Sequence, residues 1–316
     1  MGKKTKADPT GQVKTRRSAS RRLQRRLNLA QTEVKRLFRE IPRTRRQKTI
    51  LTNQVIPVYD YQITASEFEE LERRITSALG DQLLETASFT RMPPNWWWQS
   101  VVERPYREGT AEEIVLFNRQ ITRELVRIRA ERGLVTQRLE IGSVLQSQQY
   151  LNALNNVQVR NFGTLRSLTE ITANQVIQAI QLGITAGESP RKIAKRLTDR
   201  FNVSKTNAER IARTEVNRAY NDAKLNATEV AAEQTGLRAG VLHLSALSTT
   251  TRATHAERHG NVYTVEQQRQ WWNSDSNRIN CQCSTRSALI DRQGKVIDVE
   301  LQDELQAERE FFDEED

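Results

Sequence analysis

The chain has 316 residues, a formal net charge of +10 and a mean hydropathy of −0.69; 28% of its residues are charged and 37% hydrophobic. That balance suits a soluble globular protein of two domains with polar extensions, and no apolar run approaches the roughly 20 residues of a membrane span. The two cysteines stand one residue apart and make no disulfide framework, and no apolar core follows the basic N-terminus, so the expectation is synthesis in a reducing host cytoplasm without a secretory signal.

Charge is uneven along the chain. Residues 1–48 hold 17 Lys or Arg against 3 Asp or Glu, and residues 298–316 hold 10 acidic residues against one Arg. A basic head and an acidic tail point to a polyanion at one end and a basic partner, or self-screening, at the other. Residues 1–17 are polar and read as disordered when free. From Ser18, Leu23, Leu27, Ala30, Val34, Leu37 and Phe38 recur at helical steps, and Ile41-Pro42 ends the pattern.

Residues 55–61 form a β-like run. A capping box, Thr64 to Glu67, opens a second helix with Phe68, Leu71, Ile75, Leu79 and Leu83 as its stripe. Pro93 and Pro94 break the chain before Trp96, Trp97 and Trp98, which read equally as an interaction surface or a core plug. The pair Trp271 and Trp272 reads the same two ways. A third helix is expected over 110–142.

From about residue 160 the pattern predicts shorter helices. Gly187 ends one, and Ser189-Pro190 starts the next. A second capping box, Thr206 to Glu209, predicts a further helix carrying the stripe Ala208, Ala212, Val216, Ala219, Ala223, Ala227 and Val230, which lets a neighbour approach closely, and Gly236 ends it. After that the period becomes two. Residues 240–247 and 261–265 read as strands, and 287–290 with 295–299 as a hairpin. The last residues form an acidic helix or stay mobile.

Several segments carry a resemblance in a fixed order. They are Gly187-Glu188-Ser189-Pro190, then Ala212-Arg213-Thr214-Glu215-Val216-Asn217-Arg218-Ala219-Tyr220, then Arg252-Ala253-Thr254-His255, then His259-Gly260-Asn261-Val262-Tyr263, and last Asn280-Cys281-Gln282-Cys283. The set resembles the phage Mu F-like minor head protein family, also called the head morphogenesis domain, over roughly 160–290. The resemblance implies a structural virion component encoded beside the portal, present in few copies, that affects DNA packaging or ejection. Two positions depart from the family: Ile279 stands before the Asn-Cys step where a Pro is common, and His259 precedes Gly260 and adds an imidazole the family does not require.

Three sets of side chains are candidates. His255, His259, Cys281 and Cys283 are the ligand types of a tetrahedral zinc site, with His243 as a fifth candidate; the plain alternative is two small buried thiols and turn-bonded imidazoles. Arg213, Glu215 and Arg218 are the motif residues, read as a structural anchor between their helix and the sheet. Arg16, Arg17, Arg21, Arg22, Arg25 and Arg26 are the candidate DNA contacts, because clustered cations release counterions from phosphates regardless of base sequence. An acidic protein partner is the alternative for the same arginines.

The reading is therefore an α+β protein. A basic arm and helix (1–48) and a helical region (49–150) precede a Mu F-like domain of helices plus a small antiparallel sheet (151–290), then a hairpin end and acidic tail (291–316). The expected function is that of a minor head protein inside the virion, near the portal. Its expected partners are the portal protein, the major capsid protein and viral double-stranded DNA, with no membrane. No catalysis is expected, and no cofactor beyond a structural zinc. The rivals are a metal-dependent nuclease or hydrolase using the His/Cys set, and a non-virion DNA-binding protein.

Overall fold

A computed structural model of the chain describes residues 8–49, 55–85, 95–123 and 138–315. In order they form α1 (Val13–Arg39), β1 (Arg43–Thr49), β2 (Val55–Tyr61), α2 (Ala65–Leu83), a helical turn with a π-helical stretch (Asn95–Trp97, Trp98–Glu103) and α3 (Arg104–Arg123). Then come α4 (Ile141–Leu145), α5 (Gln148–Thr185), α6 (Pro190–Thr235), β3 (Ala239–Leu244), α7 (Ala253–Ala256), β4 (Val262–Tyr263), α8 (Val265–Asn273), β5 (Ser284–Leu289) and α9 (Val299–Glu315). The α+β class holds, with helices dominant and two small antiparallel sheets. Among the described residues no helix is long and apolar enough to cross a membrane.

The chain forms two compact units. One comprises 20–95 and 159–211, the other 1–19, 96–158 and 212–316, so α1, α5 and α6 each contribute to both. In the first, the stripes read from the sequence are buried, except that Phe68 at the start of α2 is half-buried. Leu23, Leu27 and Val34 of α1, Ile75, Leu79 and Leu83 of α2, Val176 and Ile180 of α5, and Ile193, Leu197 and Phe201 of α6 are at most 1% exposed. Each such side chain contributes about 1.5–3 kcal/mol relative to exposure. The capping box of α2 forms as expected, with Thr64 accepting from the Glu67 N–H and Glu67 reaching back to the Thr64 N–H.

The strand partner of β2 was not legible. β1 reads Arg-Thr-Arg-Arg-Gln-Lys-Thr and has no apolar alternation, yet it pairs antiparallel with β2, Arg43 opposite Tyr61. The hairpin is held at Gly187, whose φ is +61° and whose C=O accepts the Tyr59 N–H at 3.0 Å. A Cβ at Gly187 would lie 2.5 Å from Val58 Cγ1. Glu188 beside it is 9% exposed and is clamped by Arg196 through two bonds of 2.8 and 2.6 Å.

In the other unit, Ile114, Phe117 and Ile121 of α3 pack with Ala227, Val230 and Ala231 of α6 and Leu289 of β5. The alanine stripe does admit a close neighbour: a Cβ on Gly109 of α3 would sit 2.4 Å from the Tyr220 carbonyl oxygen and 3.2 Å from Ala223 Cβ. The sheet runs β4-β3-β5, antiparallel, with β3 central and Gly240 to His243 buried.

Five expectations are corrected. Residues 8–12 are ordered and α1 starts at Val13, because Asp8 accepts the Thr10 hydroxyl at 2.7 Å and the Val13 N–H at 3.1 Å. α3 starts at Arg104, with Pro105 in the first turn where its missing N–H costs nothing; the expected far end of that helix falls partly outside the described residues. The helices after residue 160 are not short: α5 has 38 residues and α6 has 46. Thr206 does not cap a new helix, since its hydroxyl donates to the Asn202 carbonyl four residues back and α6 runs through. The 287–299 hairpin reduces to one bridge, Ile290 with Val296, because β5 pairs with β3 instead.

Candidate functional site

The His/Cys cluster assembles from four pieces of the second unit. β3 carries His243 at its buried centre, in register with Thr285 of β5. The one-turn helix α7 carries His255. α8, opened by the capping box of Thr264 and Gln267, carries Gln268, Trp271 and Trp272. The segment leading into β5 carries Cys281 and Cys283. Asn280 enters this segment at φ +56°, a left-handed conformation that Asn tolerates better than most residues.

α6 clamps that segment from one face. Thr214 Oγ1 accepts the Asn280 N–H at 3.0 Å. Asn217 Nδ2 donates to the Cys281 carbonyl at 2.6 Å, and Asn221 Nδ2 to the Cys283 carbonyl at 2.9 Å. The sequence reading missed these three as functional. Their signal was there: at steps of three and four they share one helix face. Among the motif residues, Arg213 is exposed, Glu215 is buried at 4%, and Arg218 is half-buried with Nε 3.9 Å from Asp222. Asp222 also pairs with Arg278, which lies over the Trp272 ring. Arg252 donates to the Asn277 carbonyl at 2.9 Å and so staples the loop before the cysteines.

At the centre, His255 Nδ1 lies 3.3 Å from Cys283 Sγ and 3.5 Å from Cys281 Sγ. The Cys283 N–H donates to Cys281 Sγ at 3.3 Å. His243 Nδ1 faces Gln268 Oε1 at 3.3 Å, and Arg258 donates to the same oxygen at 3.1 Å. The Trp271 ring sits 4.7 Å from the His255 ring and 5.1 Å from the His243 ring, edge to face. Ligand atoms of His243, His255 and Cys283 all lie within 4.8 Å of one another. His259 is placed elsewhere: its Nδ1 accepts the Ser245 N–H at 2.9 Å and its Nε2 lies 3.5 Å from Glu308 of α9.

The surroundings push the two thiols in opposite directions. Hydrogen bonding from Cys283 holds the Cys281 thiol well below its usual range against the opposing effect of burial, and the same coupling together with burial pushes Cys283 up. Burial, helped by Arg258, drives His243 well below the usual imidazole range. Such a group suits soft-cation binding better than proton transfer, because every member is buried and rigidly seated.

The arginines of α1 divide. Arg16 is 6% exposed; it pairs with Asp8 at 3.1 Å and donates to Asn217 Oδ1 at 2.9 Å, so it supports the α6 clamp rather than facing solvent. Arg17, Arg21, Arg22 and Arg25 are exposed, and Arg26 is half-buried and paired with Glu85 at 2.9 Å. Trp97 is fully buried, while Trp96 and Trp98 are half-buried; Trp272 is buried and Trp271 half-buried. The acidic tail is α9, whose Leu301 and Leu305 pack against Leu242, Ala288 and Val296.

The clamp helix and the clamped segment lie within one stretch of recognisable sequence. Residues 174–286 match the family Phage Mu protein F like protein. The Mu F-like match covers well under half of the 316 residues, and it ends inside β5. It supports a phage head morphogenesis protein, a virion component of a structural family. Of the motif steps read from the sequence, the helix at 212–220, the step at 252–255, the step at 259–263 and the segment at 280–283 all fall inside it. No curated protein and no solved structure matches the chain.

Proposed function

We propose that this chain is a minor head protein of a tailed phage, seated in the virion on the portal side of the head. There it contacts the portal and neighbouring capsid protein, and Arg17, Arg21, Arg22 and Arg25 meet packaged double-stranded DNA. The observation that carries the reading is the Mu F-like match over 174–286. The exposed arginines on α1 support the DNA contact, since charge clustered on one element gives salt-sensitive, sequence-independent attraction to phosphates. The role is structural. A metal-dependent hydrolase would need an open coordination position and a nearby base, and the carboxylates closest in sequence to the His/Cys cluster, Glu257 and Asp275, are exposed.

The test is capture of the full chain by the portal protein encoded beside it, together with its presence in purified heads. Deleting residues 1–48 is unsuitable, because α1 carries buried core residues. Charge-removing substitutions at Arg21, Arg22 and Arg25 are the alternative. Salt-insensitive capture of both forms supports a portal contact separate from those arginines. Absence from heads, with DNA binding retained, would move the assignment to a non-virion DNA-binding protein.

A further inference from the structure

We infer that His243, His255, Cys281 and Cys283 together bind one divalent cation of the zinc class, and that His259 takes no part. Two thiols and two imidazoles converging in a closed, water-poor place are the donor set of a structural tetrahedral site for a borderline-soft ion. Zinc–sulfur and zinc–nitrogen bonds of about 2.3 and 2.0 Å set the N···S edge of such a tetrahedron near 3.5 Å. His255 Nδ1 already stands 3.3 and 3.5 Å from the two sulfurs. His243 completes the group: its ligand atom lies within 4.8 Å of those of His255 and Cys283, and Cys281 joins them through His255 and the Cys283 N–H.

The surroundings are those of a held ligand set. The Cys283 N–H donates to the Cys281 sulfur, which favours the thiolate a metal needs. Gln268 faces Nδ1 of His243 and is itself fixed by Arg258, so the ring has a set orientation and Nε2 is left buried without a hydrogen-bond partner. Asn217 and Asn221 pin the carbonyls of both cysteines, and Trp271 walls both imidazoles. A bound cation accounts for two cysteines and two imidazoles being brought together and aimed inward. His259 is excluded because its Nδ1 accepts the Ser245 N–H, so the neutral ring carries its proton on Nε2, which lies 3.5 Å from Glu308 rather than at the sulfurs. The bound ion would tie β3, α7 and the entry to β5 into one piece around α6.

The experiment is metal analysis of the full chain, purified under reducing conditions and dialysed, with the cobalt(II)-loaded form examined by absorption. The expected result is about one zinc per chain, and thiolate-to-cobalt charge transfer with visible bands of tetrahedral cobalt. Cys283→Ser and His243→Ala should each weaken binding at least about 10–100-fold, while His259→Ala keeps full occupancy. Should the ligand variants fail to fold, the cobalt spectrum of the unaltered chain and the retained metal of His259→Ala still decide. A folded, reduced chain without zinc and without a cobalt spectrum overturns the inference. So does a Cys281–Cys283 disulfide in the chain as isolated that, once reduced, takes up no metal. Loss of metal in His259→Ala, with the fold intact, overturns the assigned ligand set.

Discussion

Lys224 of α6 and Glu113 of α3 form an ion pair of 3.0 Å with both side chains only 1% exposed. Glu112 adds a second carboxylate at 3.1 Å and accepts from the Tyr220 hydroxyl at 2.7 Å. Glu113 also accepts the Ser287 N–H, so one buried ammonium joins α3, α6 and β5. Burial alone would lower the Lys224 pKa, but Glu113 and Glu112 outweigh it and hold it above its usual range. Its contribution is therefore fully present below about pH 10.4 and is lost as pH rises beyond that. Removing the cation by Lys224→Met strands two buried carboxylates and should cost about 3–5 kcal/mol in denaturant unfolding. A loss under about 1 kcal/mol would mean the carboxylates find other partners or water.

Close helix packing makes a second expectation. Gly109→Ala puts a methyl 2.4 Å from the Tyr220 carbonyl oxygen, a backbone atom that cannot swing aside. Parting α3 from α6 should cost about 1–3 kcal/mol, seen as a lower thermal midpoint with unchanged helix content.

Gly187 tests the other unit. Its φ of +61° is unfavourable for alanine, and a Cβ there meets Val58 of β2. Gly187→Ala should destabilise by about 1–3 kcal/mol and raise amide exchange in the β1–β2 hairpin before elsewhere. Uniform exchange across the chain would argue that the hairpin does not depend on this glycine.

His259 sets a pH dependence. Burial lowers its pKa, with Glu308 opposing and Arg309 assisting, so its contribution is present above the unfolded value near pH 6.5 and is lost as pH falls through the folded one. Protonation would also take Nδ1 from the Ser245 N–H. The thermal midpoint should fall between about pH 7 and pH 5. In His259→Gln that fall should be smaller. An equal fall in both proteins would assign the acid sensitivity to other groups.

The arginines of α1 predict a salt dependence. If Arg21, Arg22 and Arg25 each neutralise one phosphate, replacing all three by alanine should reduce the slope of log K against log salt by about 0.9 for each phosphate left without its arginine. Unchanged slopes would assign DNA affinity to other parts of the chain, or remove it.

The amino-acid sequence by itself determined the apolar stripes, the α2 capping box, the glycines at 187 and 236 and the order of the Mu F-like segments, because those signals are local. Periodicity follows from helix geometry, and a cap needs only three or four neighbouring residues. Tertiary structure decided the rest. A basic strand without alternation became β1 because β2, itself held at Gly187, paired with it. Thr206 lost its cap to a carbonyl four residues back, within a 46-residue helix. Arg16 left the basic surface for Asp8 and Asn217, at a separation of 201 residues for the second. His243 and His259 are equally histidine in the sequence. Only the pairing of β3 with its neighbours seats one beside Cys283 and turns the other to a backbone N–H, because spacing along a chain does not measure distance across a sheet.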